Sequence, residues 1–331
     1  MDAARPLRVV FGGDAMLGRL VGKAIARFGH GYPLGPLAAT LAGADLAIVN
    51  LECALTACTT PWPGEPKAFY FGAPPAAVLS LADAGIDLVS LANNHALDFG
   101  VQGLRDTLQA LDAHGIAHAG AGENLAGALR PALLERDGIR FGMAAFCDHQ
   151  SDFAAAHDRP GIAWIDLENP ARAADDLRAA LTTLVEAGTD WPVLSLHWGP
   201  NMVWRPSPRF RRLAHAAIDM GWKIVFGHSA HVFQGVEWRA GCPIIYAAGD
   251  LVDDYYVDPG FRNDHQLLFE LDLDARRVLK LAMRPLFIED CRTAPAHAAA
   301  RDWILERMRA LCRDLGTHTG IEGELLTSLP Q

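Results

Sequence analysis

The chain has 331 residues, half of them apolar, with a formal net charge of −10 and a pI near 5.7. That length accommodates one large domain or two ordinary ones, and the apolar content supports a sizeable core. The acidic balance argues against nucleic acid or an anionic membrane surface as the main partner.

The N-terminus, Met1-Asp2-Ala3-Ala4-Arg5-Pro6, leads straight into a strand over 7–11. It has no basic region followed by a long apolar one, so no signal peptide is expected. That first strand ends in Gly12-Gly13-Asp14, and a helix is expected over 19–28. A second strand at 45–49 ends in Asn50-Leu51-Glu52. Residues 56–75 are rich in proline and read as an irregular surface loop, whose Trp62, Phe69, Tyr70 and Phe71 could instead line a pocket.

The most informative stretch follows a strand at 87–91, bounded upstream by Gly85. It reads Ala92-Asn93-Asn94-His95-Ala96-Leu97-Asp98, then Gly100 and a helix near 101–113 with apolar spacing at Leu104, Leu108 and Leu111. Polar side chains at a strand's carboxyl end lie where α/β sheets place ligands. A short strand at 117–119 leads into Gly120-Ala121-Gly122-Glu123-Asn124, which lacks the G-x-G-x-x-G spacing and reads as a turn. Segments 131–135 and 139–146 form a hairpin across Asp137-Gly138.

A helix at 171–187 precedes a strand at 191–196, ending in His197-Trp198-Gly199-Pro200-Asn201. Another helix, 207–220, precedes a strand at 222–226, ending in Gly227-His228-Ser229-Ala230-His231. A strand at 243–247 ends in Gly249-Asp250. Strands at 267–273 and 278–286 read as antiparallel, and a helical tail spans 294–315, with its helical spacing over 297–314. Strands alternating with helices, then paired strands, give α/β layering with sheets buried between helices. No linker or repeat divides residues 1–331, so a single domain with a core over 7–287 is expected. No run approaches the roughly 18 apolar residues of a membrane span. The six cysteines lack CxxC or zinc-ribbon spacing and are expected as free thiols, which suits a cytoplasmic protein.

Six strand ends therefore carry polar groups: Asp14, Asn50/Glu52, Asn93/Asn94/His95, His197, His228/His231 and Asp250. Their convergence would gather imidazoles and oxygen donors without a thiolate. That set suits one or two divalent ions of the Mn, Fe or Zn kind. The run Asp250-Leu251-Val252-Asp253-Asp254 could add to the site or bind a cationic group. Lys67, Arg205 and Arg209 could hold an anionic substrate.

The motifs Gly13-Asp14-Ala15-Met16-Leu17, Asn50-Leu51-Glu52, Ala92 to Asp98, Ser195-Leu196-His197-Trp198-Gly199 and Gly227 to His231 resemble bacterial capsule-synthesis proteins of the CapA/PgsA type. These are named for poly-γ-glutamate production and belong to the calcineurin-like metallophosphoesterase superfamily. The resemblance runs from about residue 7 to 287 and implies a four-layer α/β/β/α sandwich with a metal site at one edge of the sheets. By resemblance, Asp14 is the first-strand metal ligand, and Met16 stands where the superfamily has a histidine. Asn50 and Glu52 compete for the bridging position. Asn94 ligates, and His95 acts as the leaving-group acid with Asp98 orienting it. His197, His228 and His231 complete the metal set, with one residue more than usual between the last two. Asn93, Trp198, Asp250 and Asp254 are candidates for substrate contact. The reading is a metal-dependent hydrolase of a phosphoester or a glutamyl-type amide, acting on a small or peptide-like anionic substrate. The alternative is a non-enzymatic accessory protein for poly-γ-glutamate synthesis or export.

Overall fold

A computed structural model describes residues 5–331; residues 1–4, on which part of the reading of the N-terminus rests, lie outside the described residues. Strand β1 (Leu7–Ala15) runs past its expected end and carries Asp14 within the sheet. It pairs in parallel with β2 (Leu46–Leu51), which pairs with β3 (Leu88–Ser90), and β3 with β4 (Ala117–Ala119). Helices α1 (Arg19–Phe28), α2 (Val78–Ala84) and α3 (Gly100–Ala113) connect these strands and pack on one face of the sheet.

The chain then builds a second sheet. β5 (Ala132–Arg136) and β6 (Ile139–Cys147) form the expected hairpin. Asp137 and Gly138 take φ of 49° and 76°, the left-handed pair that a two-residue primed turn requires. β6 lies parallel to β7 (Trp191–His197), and β7 to β8 (Ile224–His228), with helices α4 (Pro170–Glu186) and α5 (Pro208–Met220) between them in sequence. β9 (Val236–Arg239) and β10 (Cys242–Ile245) complete the far edge.

The C-terminal part returns to the first sheet. β11 (Asp250–Val252) lies parallel to the end of β1, and β12 (His265–Leu273) antiparallel to its start. β13 (Val278–Glu289) and β14 (Arg292–Pro295) extend that edge. Helix α6 (Ala298–Asp314) touches strands of both sheets. The tail is more than a helix: β15 (Gly320–Glu322) and β16 (Leu325–Ser328) follow, and β16 pairs with β13. These strands are too short for alternation to announce them, and β15 is exposed throughout.

Period-two alternation in the second sheet divides two cores. Met143, Ala145, Val193, Ile224 and Phe226 belong to the core between the sheets, where the rings of Phe11 and Phe226 lie 5.1 Å apart. Ala144, Phe146, Leu194, Leu196 and Val225 belong instead to the core shared with Leu177, Leu184 and Ala217 of α4 and α5. Strands buried on both faces read as continuous apolar runs. The result is a four-layer α/β/β/α sandwich.

Candidate active site

Strand register does most of the assembly. Asp14 on β1 sits beside Asn50 on one side and Asp250 on the other, while His197 sits beside His228 in the second sheet. β1 gains one residue against β2 between Phe11 and Asp14, a bulge at Gly12-Gly13 that re-aims the next side chain. Gly13 must be glycine, because a Cβ there would stand 1.9 Å from the carbonyl oxygen of Gly249. This close approach is what lets β11 bring Asp250 alongside Asp14.

Asp14 is fully buried; its Oδ1 accepts from Asn50 Nδ2 at 2.8 Å and its Oδ2 from the Ser229 amide at 3.1 Å. Burial nevertheless pushes its carboxyl up to about 6. His197 and His228 face each other through their Nδ1 atoms at 2.9 Å, and His228 Nε2 lies 2.8 Å from Ser195 Oγ. Burial lowers both rings, His228 to about 3, so both are neutral at pH 7. Across from them, Glu52 Oε2 accepts from the Tyr255 hydroxyl at 3.0 Å, and its Oε1 lies 3.7 Å from His197 Nε2. His231 Nδ1 is 2.9 Å from Asp250 Oδ1 and 3.7 Å from Asp14 Oδ2.

Two sets of donor atoms result, each gathered within 4.8 Å: Asp14, His197 and His228; and Asp14, Glu52, His231 and Asp250. Asp14 is common to both. Their fit to a cation has a direct test. Glu52 Oε1, Asp250 Oδ2 and the neighbouring Asp253 Oδ2 are buried acceptors with no hydrogen-bond partner. Burial, reinforced by the neighbouring carboxylates Asp14 and Asp250, holds all three carboxyls well above their usual range, as expected of buried acids crowded together. The donor chemistry, imidazole and carboxylate, suits a divalent ion.

The other expected residues divide. Asn50 uses both ends of its amide, toward Asp14 and toward Asn93 Nδ2 at 3.0 Å, so it positions Asp14. Asn93 also donates to Leu51 O and accepts from the His95 amide, bracing the turn. Asn94 lines the cleft with a buried, unpartnered Oδ1. His95 Nδ1 lies 2.6 Å from Asp98 Oδ2, and Asp98 is itself held by Lys67 and by the Phe71 amide. Its ring stacks on Phe71 at 3.9 Å between centroids, and burial lowers it to about 4. Trp198 lies elsewhere: it is a core residue whose indole donates to Tyr246 O at 2.9 Å, leaving no polar atom for a substrate. Asp254 accepts from the Leu20 amide at 2.7 Å at the start of α1. Among the candidate cations, Arg205 pairs with Asp314 and Arg209 with Glu168 at the surface, and only Lys67 reaches the site.

Several participants escaped the sequence reading. Asp148 and His149 follow the end of β6 as the other polar groups follow theirs, a signal that was available. His149 Nε2 lies 2.9 Å from Gly199 O and 3.1 Å from Ser229 Oγ. Tyr255 lies in an irregular segment with no periodicity to announce it, just beyond Asp253 in the acidic run already singled out. Of the proline-rich loop's aromatics, Phe69 and Phe71 line a cleft of about 710 Å³, together with Asn94, His95, His231 and Tyr255, and Trp62 and Tyr70 do not.

Residues 8–255 match the family described as bacterial capsule synthesis protein PGA_cap. A protein of Mycobacterium tuberculosis described as a probable polyglutamine synthesis accessory protein is 34% identical over 299 residues, covering 86% of this chain and 77% of its own. The chain belongs to the PGA_cap family. The capsule biosynthesis protein CapA of Bacillus anthracis is 28% identical, covering 87% of this chain and 69% of its own. Among solved structures, a 5′-nucleotidase precursor from Thermus thermophilus aligns with a TM-score of 0.49 at 13% identity, covering 94% of this chain and 59% of that one. As a PGA_cap protein the chain has the two-sheet architecture that the resemblance implied. No helix among its described residues is long and apolar enough to cross a membrane.

Proposed function

We propose that this PGA_cap protein is a metal-dependent hydrolase that cleaves a phosphoester or a glutamyl-type amide in a small or peptide-like anionic substrate. One observation carries the reading: buried carboxylates with unpartnered oxygens lie beside histidines at the end of both sheets, next to a His95–Asp98 pair whose histidine lines an open cleft. One or two divalent ions of the Mn, Fe or Zn kind would be held by Asp14, His197 and His228, and by Glu52, His231 and Asp250. When bound, such an ion supplies positive charge that polarises the scissile group and lowers the pKa of water.

The chain's own residues do the rest. Asn50, the Ser229 amide and the Tyr255 hydroxyl fix Asp14 and Glu52 in place. Asp98 accepts at Nδ1 of His95 and so sets the ring's tautomer. The other nitrogen, Nε2, is left to exchange a proton with the leaving atom once a bound anion raises the ring's affinity for it. Lys67 neutralises Asp98 and keeps it from repelling that anion. Six unpaired cysteines support a reducing, cytoplasmic setting.

Elemental analysis of the purified protein, with a screen of phosphoesters and γ-glutamyl amides, tests the reading. Bound divalent metal and metal-dependent turnover of one substrate class are expected. Metal-free protein that stays inactive after reconstitution would overturn it. The accessory role is favoured by the description of the mycobacterial relative. It predicts metal binding without turnover of either class.

A further inference from the structure

Outward from His95 the cleft continues along a wall that includes Arg19, Phe69, Phe71 and Tyr256. Phe69 is 57% exposed and Tyr256 83% exposed, so large apolar faces stand in water at the mouth. The guanidinium of Arg19 lies 5.4 Å from the Phe69 centroid and 5.6 Å from that of Phe71. Its Nε is 3.3 Å from Asp254 Oδ1, which steadies the head group. The terminal nitrogens donate to no protein group among the described residues. Lys67, by contrast, is committed to Asp98 and the Asn94 carbonyl.

The backbone of this cleft is also unusual. Arg19, Gln150 and Met202 all line it, and all take left-handed φ, of 51°, 56° and 56°. Such non-glycine positions are strained, and strain of this kind gathers at ligand-holding surfaces. Phe71 links the wall to the chemistry, since it touches Arg19 and also carries the stacked ring of His95.

We infer that Arg19 binds an oxyanion, a carboxylate or a phosphate, on the leaving half of the substrate, with Phe69 and Tyr256 packing against the apolar part beside it. The term leaving half rests on the hydrolase reading; the binding role does not. A guanidinium with free terminal N–H groups presents the planar fork that matches either oxyanion, and the aromatic ring beneath it restricts its orientation. The wall would therefore select a leaving group that is anionic and amphipathic.

The test is equilibrium binding by calorimetry to the metal-loaded His95→Gln protein, in which turnover is slowed. The probes are 4-carboxyphenyl phosphate and 4-phosphonophenyl phosphate against phenyl phosphate, and γ-glutamylglutamate against γ-glutamylbutylamide. In at least one series the probe with the extra anion should bind about tenfold or more tightly than the probe that lacks it, as a charge-assisted contact requires. The first series tells carboxylate from phosphate. Arg19→Gln should abolish that preference, and Arg19→Lys should keep part of it. No preference in the parent, or a preference that survives Arg19→Gln, overturns the inference. An Arg19-dependent preference without turnover by the wild-type protein removes the hydrolase reading and leaves this one standing. Turnover without that preference does the reverse.

Discussion

Two buried carboxylates, Glu237 on β9 and Glu52 after β2, show how differently this protein treats the same group. Burial works to raise the Glu237 carboxyl, but Arg211, Tyr246 and His215 together hold it below its usual value. Its oxygens meet Arg211 Nη2 at 3.0 Å, His215 Nε2 at 2.9 Å and the Tyr246 hydroxyl at 2.7 Å. Glu52 has one hydroxyl donor and no cation, and burial together with Asp14 drives it well above its usual range. A satisfied buried acid pins helix α5 to the second sheet. An unsatisfied one marks a place where something positive belongs.

The largest test of this contrast is Asp14→Asn, which removes the donor shared by both sets. It should lose bound metal, and with it all metal-dependent turnover, while the chain stays folded. Metal retained at the wild-type ratio, by elemental analysis, would break the distinction between the two kinds of acid. His95→Gln comes next. With metal retained, it should slow substrates that have alkoxide or amine leaving groups by about 10²- to 10⁴-fold, the usual worth of a general acid. p-Nitrophenolate needs no proton to leave and should depart almost as fast as before. Equal losses across both kinds of leaving group would exclude the acid role.

The two glutamates then separate in stability. Glu237→Gln should cost about 1–3 kcal/mol in urea unfolding, since it strips charge from contacts that Arg211 and His215 still need. Its metal content should not change. Glu52→Gln should do the opposite in chelator, raising stability by on the order of 1 kcal/mol near pH 7 because a neutral amide is easier to bury than a carboxylate. With divalent metal present the same variant should melt below the parent. If both variants moved stability in the same direction under chelation, partner count would be a poor guide to which acids await a cation.

Much of this was legible in the sequence, for reasons that particular residues make clear. Asp14, His197 and His228 could be found because each ends an apolar run, and parallel strands in register bring such ends together. The Asp137-Gly138 turn was readable because few residue pairs accept two consecutive left-handed φ values. Trp198 misled because it follows His197 directly; one step along the chain turned its ring away into the helix-facing core. Lys67 and Tyr255 lie on irregular segments, and nothing periodic tells which way such side chains point. Asp148 and His149 obeyed the strand-end rule and could have been found by it.

The close approach of Gly13 and Gly249 also bears on how the protein is made. Asp14 leaves the ribosome well before its neighbour in the sheet, Asp250. A contact this distant in sequence closes late and slowly, because the intervening chain must be ordered first. Until β11 docks, the nascent protein has its histidines and first aspartate but no finished cage. The donor set that includes Asp250 should therefore be completed late in maturation, and chains halted before β11 should hold less metal than the full chain.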